Sequence, residues 1–398
     1  MECARARVLA FLHADPSEYD VVFTANASGA LRLVGEGFPF GGASRFVLTA
    51  DNHNSVNGIR CFAERAGAAV RYVPLRPTLR AEDPEPWLAG ARRDGAHLFA
   101  YPAQSNFSGV RHPLQWIERA KGLGYSVLLD AAALAPTCPL RLDRVSPDFV
   151  TLSFYKLFGF PTGVGALVAR RDAIDGLGKA WFAGGTVEWV STQHSGYALR
   201  AGSGALEEGT PDFLAFDAVR DGLDWLDRIG MPVIASHVRR LTALLLGRLT
   251  ALRHAGGGPL VEIYGPCDCE ARGGTVSFNV LDPKGRVVPF DDVVSSAARR
   301  LVSVRGGCFC NPGCAEAALG FVAERARACR AALGSDLTAD RFSACLGGPV
   351  GAVRASVGVP TTPADIDRLM DVLEGFRDPG SAAGAGEARR PAELPSLG

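Results

Sequence analysis

Lysine is nearly missing from this chain. Of its 42 basic residues only Lys121, Lys156, Lys179 and Lys284 are lysines, so any chemistry that needs an amine has four candidate carriers. A net charge is missing too, because 42 acidic residues balance the 42 basic ones. No broad electrostatic footprint therefore marks a nucleic-acid or anionic-membrane partner, and small-molecule chemistry becomes the default. No apolar run approaches the ~20 residues that span a bilayer, and the opening MECARARVLA lacks the apolar stretch of a secretory signal. A membrane partner is not expected, and the expected location is the cytoplasm. Ten cysteines among 398 residues are too few for a disulfide scaffold. In the cytosol they are expected to stay reduced, which leaves any special cysteine a catalytic or metal-binding role.

What is present is alternation. Short β-branched runs, VVFT at 21–24, FVLTA at 46–50, HLFAY at 97–101, SVLLD at 126–130 and FVTLSF at 149–154, are separated by helical patterns at 54–66 and 113–122. This predicts an α/β fold with a mostly parallel sheet flanked by helices over residues 1–210. From Pro211 the pattern changes to two long helices, 211–229 and 231–254, then strand-like VEIY and GGTVSFNV and a capped helix from Thr362. Residues 211–377 thus read as a smaller α+β domain with its leading helices. Residues 378–398, rich in Gly, Pro, Ala and Ser without periodicity, read as a disordered tail.

The candidate chemical residues fall where these strands end. Lys156, in SFYKLFGFPTG, follows a buried-looking strand, and apolar walls there would leave its amine desolvated and nucleophilic. The plainer reading is a snorkelling loop lysine. Asp130 ends SVLLD, so its carboxylate points into the crevice where α/β enzymes bind ligands and would hold a pyridinium nitrogen protonated. Alone, it reads equally as a helix cap. Ala27 and Ser28 of TANASGA stand at a helix N-terminus, which favours a phosphate. His53 of DNHNSV is placed to stack on a flat ring, and Asn106 of YPAQSNFSG to donate to a phenolic oxygen; each also reads as an ordinary loop residue. In the second domain, GGCFCNPGC sets Cys308, Cys310 and Cys314 in a Gly-rich loop that looks mobile enough to swing a thiol toward a substrate. The rival is a metal site that adds Cys267 and Cys269; both short pairs are C-x-C rather than the C-x2-C of structural zinc, so no metal is assigned. Arg354, in AVRASVG, is a candidate fork for a substrate carboxylate, or a surface ion pair.

YPAQSNFSG, LLDAAA, SFYKLFGFPTG, EEGTPDF and GGCFCNPG together resemble the class V aminotransferase family of fold-type I pyridoxal-phosphate enzymes. Within it they resemble the branch of cysteine desulfurases and the aminotransferase-like domain of molybdenum cofactor sulfurases, over residues 5 to 377. That resemblance implies Lys156 as the cofactor-bearing lysine, Asp130 on the pyridine nitrogen and His53 stacked on the ring. It implies phosphate contacts from Ala27, Ser28, Ser153 and Tyr155, with Thr210 reaching the phosphate of a partner subunit in a homodimer. It further implies Arg354 on the substrate carboxylate and Cys310 as the thiol that takes sulfur from L-cysteine, leaving a persulfide and L-alanine for an unidentified acceptor. Ala133 stands where iron–sulfur desulfurases carry Gln or His, as the sulfurase branch would have it. The family's usual N-terminal segment has no counterpart before residue 5, so the chain is expected to be a shortened member. The competing expectations are a class V enzyme of another reaction type, a lyase, epimerase or aminotransferase acting on another small amino acid, and an inactive remnant.

Overall fold

The apolar runs become strands because each is buried on both faces. In the computed structural model, which describes residues 1–377, β1 (Tyr19–Thr24), β2 (Arg45–Thr49), β3 (Ala69–Val73), β4 (His97–Pro102), β5 (Tyr125–Asp130), β6 (Phe149–Ser153) and β7 (Gly165–Arg170) form one sheet in the order β1-β7-β6-β5-β4-β2-β3. β2 to β6 pair in parallel, and β7 runs antiparallel between β6 and β1. Successive side chains alternate between two layers. Val21, Phe23, Phe99, Tyr101, Val127 and Leu129 enter one core with the helix Phe213–Ile229. Val22, Leu98, Ala100 and Leu128 enter the other, under the helix Ala27–Gly37. Both faces are covered, which explains the unbroken rather than alternating hydrophobicity of these runs.

The predicted long helices are Phe213–Ile229 and Met231–Ala251. Asp212 starts the first by accepting from the Ala215 N–H, and Gly230, at φ +89°, separates the two at a bend of 72°. Among the described residues no single helix is long and apolar enough to cross a membrane. Beyond the helices lies an antiparallel sheet in the order β10-β11-β13-β12. It comprises β10 (Val261–Tyr264), β11 (Thr275–Val280), β12 (Arg305–Gly307) and β13 (Ala352–Ser356). A hairpin of β8 (Val187–Val190) and β9 (Tyr197–Leu199) stands outside both sheets with Trp189 and Tyr197 exposed. The last helix, Pro363–Glu374, is closed by a capping box of Thr362 and Asp365, worth about 1 kcal/mol. The expected tail, 378–398, lies outside the described residues.

Two expectations fail here. The single helix over 54–66 is two short ones, Asn54–Asn57 and Arg60–Arg65. Asn57 Nδ2 donates back to Asn52 O at 3.0 Å, which locks the first turn to the end of β2 instead of letting it continue. Nor are all cysteines reduced. The helices Ala323–Leu333 and Ala339–Leu346 fold back on one another and bring Cys329 and Cys345 to a Cα separation of 5.8 Å, where they are bridged. A spacing of 16 residues carries no sign of this pairing in the sequence.

Candidate active site

Parallel strands deliver their C-terminal ends to one edge, and the loops there hold most of the candidate residues. At the end of β5, Asp130 is 8% exposed. Its Oδ1 accepts from the Ala132 N–H at 3.0 Å and the Thr151 hydroxyl at 3.2 Å, and among the described residues no donor reaches Oδ2. After β2, His53 Nδ1 accepts from the Ser55 N–H at 3.1 Å, which puts the ring proton on Nε2. Burial lowers the His53 pKa, the Asp130 carboxylate opposes this, and Lys156 and Arg305 reinforce it, so the ring is neutral at pH 7. A neutral ring beside a buried carboxylate suits a flat pyridine.

The residues expected at a phosphate bring together hydroxyls and a helix start. Asn26 caps the helix Ala27–Gly37 through the Gly29 N–H at 2.9 Å. The Ala27 N–H donates to Ser153 Oγ at 3.2 Å, and the Ser28 and Ser55 hydroxyls lie 2.6 Å apart. A Cβ at Gly165 would stand 2.5 Å from the Asn26 carbonyl carbon, so only glycine lets β7 run this close to the helix start.

Lys156 sits in the short helix Phe154–Phe158, which Gly159 ends at φ +87°. Phe154 and Leu157 are buried and anchor the turn, while Tyr155 and Lys156 are exposed. The strand-end placement holds, but the desolvation expected of Lys156 does not, since the residue is exposed. The other lysines are engaged elsewhere. Lys121 donates to Ser146 O, Lys179 pairs with Glu208, and Lys284 lies in the turn that Asp282 closes.

The thiol loop also differs from expectation. It is tied down rather than mobile. Cys310 O accepts from the Asn54 N–H at 2.7 Å, Phe309 O accepts from Asn106 Nδ2 at 2.7 Å, and Phe309, Asn311 and Cys314 are buried. Asn106 is thus committed to this loop, with its Oδ1 accepting from Asn311 Nδ2 at 2.9 Å. Cys267 is exposed, and Cys269 Sγ lies 3.9 Å from Arg239 O. Among the described residues no group of three or more His, Cys, Asp or Glu is arranged to hold a metal ion.

Arg354, on β13, stands over the Phe309 ring at 4.8 Å and donates from Nη1 to Asn106 O at 2.9 Å, while its buried Nε has no partner. Burial lowers the Arg354 pKa, Arg305 adds to this, and Tyr155 and Cys310 offset part of it. No carboxylate among the described residues balances this guanidinium. A half-buried cation without a counter-charge carries a desolvation cost, and a ligand carboxylate is a group that would offset it. Arg305, opposite Arg354 in the β12–β13 pair, escaped the sequence reading although it stands directly before GGCFC. So did Ser55, Thr151 and Asn311, whose parts depend on loops that only the fold brings together. Thr210 is exposed at the end of a segment held by Glu207, which accepts from Arg5 Nη1 and Nη2 at 3.0 and 3.1 Å and from the Phe23 N–H at 2.8 Å.

Comparison with known proteins bears on the family and the fold. The bovine (Bos taurus) molybdenum cofactor sulfurase is 36% identical over 430 residues, covering 99% of this chain and 48% of the relative. The human (Homo sapiens) protein of that name is 36% identical over 401 residues, covering 93% and 44%. The chain thus spans about half the length of these relatives. The apo structure of a cysteine desulfurase from Thermococcus onnurineus superimposes with a TM-score of 0.75 at 26% identity, covering 94% of this chain and 82% of that one. The profile of the family described as aminotransferase class-V matches residues 1–369, and the chain belongs to that family.

Proposed function

We propose that this protein is a pyridoxal-phosphate-dependent sulfurtransferase that converts L-cysteine and the Cys310 thiol into L-alanine and a Cys310 persulfide. The observation that carries this reading is the unbalanced, half-buried Arg354, which shares its surroundings with Cys310 and with Tyr155, the neighbour of Lys156. The site fits the cofactor. Asp130 Oδ2 is free to pair with a pyridinium N–H, the neutral His53 ring supplies a stacking face, and Ala27, Ser28, Ser153 and Tyr155 stand where a phosphate needs donors. When bound, pyridoxal phosphate supplies an electron-withdrawing ring that stabilises negative charge on the substrate α-carbon. Arg354 orients the amino acid by its carboxylate, and the Lys156 amine moves the proton at the α-carbon. The Cys310 thiolate attacks the substrate sulfur, the carbon–sulfur bond breaks, and a sulfur–sulfur bond forms on Cys310. The names of the relatives make the molybdenum cofactor the acceptor proposed for this sulfur.

The protein is further proposed to act in the cytosol as a homodimer. Exposed aromatic surface supports the dimer: Trp189 and Tyr197 of the hairpin, and Trp181 before it, are each about half exposed, and a second copy would cover such surface. Thr210, exposed nearby in sequence, would then reach across the interface.

Alanine and sulfide released from L-cysteine in the presence of a reductant test the reaction class. Release of neither, with turnover of another amino acid, would favour a lyase, epimerase or aminotransferase. Asp130→Ala is expected to weaken cofactor binding roughly 10- to 100-fold, the value of one charge-assisted hydrogen bond, measured by titrating the visible absorbance. Asp130→Glu should recover part of it. Arg354→Lys keeps the charge but loses the planar fork, and should raise KM for L-cysteine by about 10-fold or more while kcat changes less.

A further inference from the structure

We infer that Asn311 is the positioning residue that fixes the direction in which Cys310 presents its thiol. This rests on the reading of Cys310 as the sulfur-accepting group. Phe309 and Cys310 both have left-handed backbones, at φ +56° and +55°, a conformation that side-chain-bearing residues rarely adopt twice in succession. Such a kink persists only where its surroundings impose it. Asn311 is fully buried, and all of its polar groups are engaged. Its N–H donates to Cys308 O at 3.0 Å, closing the turn around Phe309 and Cys310. Its Nδ2 donates to Asp51 O at 2.7 Å and to Asn106 Oδ1 at 2.9 Å, and its Oδ1 accepts from the Cys314 N–H at 3.1 Å.

These contacts join three elements that the sequence keeps far apart. Asp51 lies two residues before His53, and its own carboxylate is fixed by His112 at 2.7 Å. Asn106 carries Phe309 O on its amide and Arg354 on its carbonyl. The amide of Asn311 therefore references the thiol to the ring-stacking histidine on one side and to the carboxylate-binding arginine on the other. A thiol set in this way attacks from a fixed backbone, and the substrate sulfur must come to it.

The test uses the full chain loaded with pyridoxal phosphate, and the variants Asn311→Asp and Asn311→Ser. Both keep an oxygen that can accept from the Cys314 N–H and lose the donors to Asp51 O and Asn106 Oδ1. Iodoacetamide labelling rates of Cys308 and Cys310 are read separately by peptide mass spectrometry, beside kcat and KM for alanine formation. The expected result is a fall in kcat of about 10- to 100-fold with KM little changed, the cost of a misplaced reacting group. The labelling rate of Cys310 should change several-fold while that of Cys308 holds. If both thiols change in parallel, or both variants lose their fold, Asn311 serves stability alone and the inference is overturned. Unchanged Cys310 labelling in folded variants overturns it too. The labelling arm decides the matter even if wild-type protein forms no alanine, a result that would sink the desulfurase reading separately.

Discussion

Lys156→Ala is expected to lower turnover of L-cysteine by about 10³-fold or more, because in the proposed mechanism it removes both the amine that holds the cofactor and the base that moves the α-proton. Exogenous methylamine should restore a small part of the rate, since a diffusing amine replaces the proton carrier without replacing its position. The site of attachment can be read independently. Borohydride treatment of protein incubated with pyridoxal phosphate, followed by peptide mapping, should place the pyridoxyl mass on the peptide containing Lys156. Of the competing amines, Lys121 donates to Ser146 O and Lys179 pairs with Glu208, while Lys284 lies in a turn that its backbone N–H helps close on Asp282. A label on any of these would remove Lys156 from the mechanism.

Cys310→Ala should abolish alanine formation from L-cysteine while leaving the cofactor bound with its visible spectrum intact. The side chain removed is the proposed sulfur acceptor, and the loop is held through the Cys310 carbonyl, which alanine retains. Cys308→Ala should reduce the rate far less. Cys314→Ala belongs to a different class, because that thiol is fully buried against Ser105 and its loss is a packing defect. Burial pushes the Cys314 thiol well above its ordinary pKa, so it stays protonated and unreactive through neutral pH. Wild-type desulfuration by Cys310→Ala would remove the Cys310 persulfide from the mechanism.

The strands that end in functional residues were legible because burial on both faces leaves continuous β-branched runs, and the residues that follow them inherit a place at the sheet edge. Asp130, His53 and Lys156 could be placed on that ground alone. What the sequence hid was the exposure of Lys156 and the fixity of the thiol loop. Glycine and proline around Cys308 and Cys310 suggested motion, since composition says nothing of tertiary hydrogen bonds. The loop is held by Asn54, Asn106 and Asn311, which come from three separate regions of the chain. Arg305 was hidden for a related reason. Its importance comes from facing Arg354 across a strand pair, and that register exists only once β12 and β13 meet.

The Cys329–Cys345 bridge bears on how this protein is handled at the bench. It closes a pair of helices spliced into the chain between Cys310 and Arg354, so both the thiol loop and the arginine strand lead directly into it. Dithiothreitol, added to discharge a persulfide, is also a reductant of protein disulfides, so rates recorded in its presence need the state of this bridge determined alongside them. Counting thiols with a chromogenic reagent under denaturing conditions separates the two forms, because eight cysteines are free in the bridged chain and all ten of the sequence after full reduction. Rates assigned to the bridged form should come from samples that score eight.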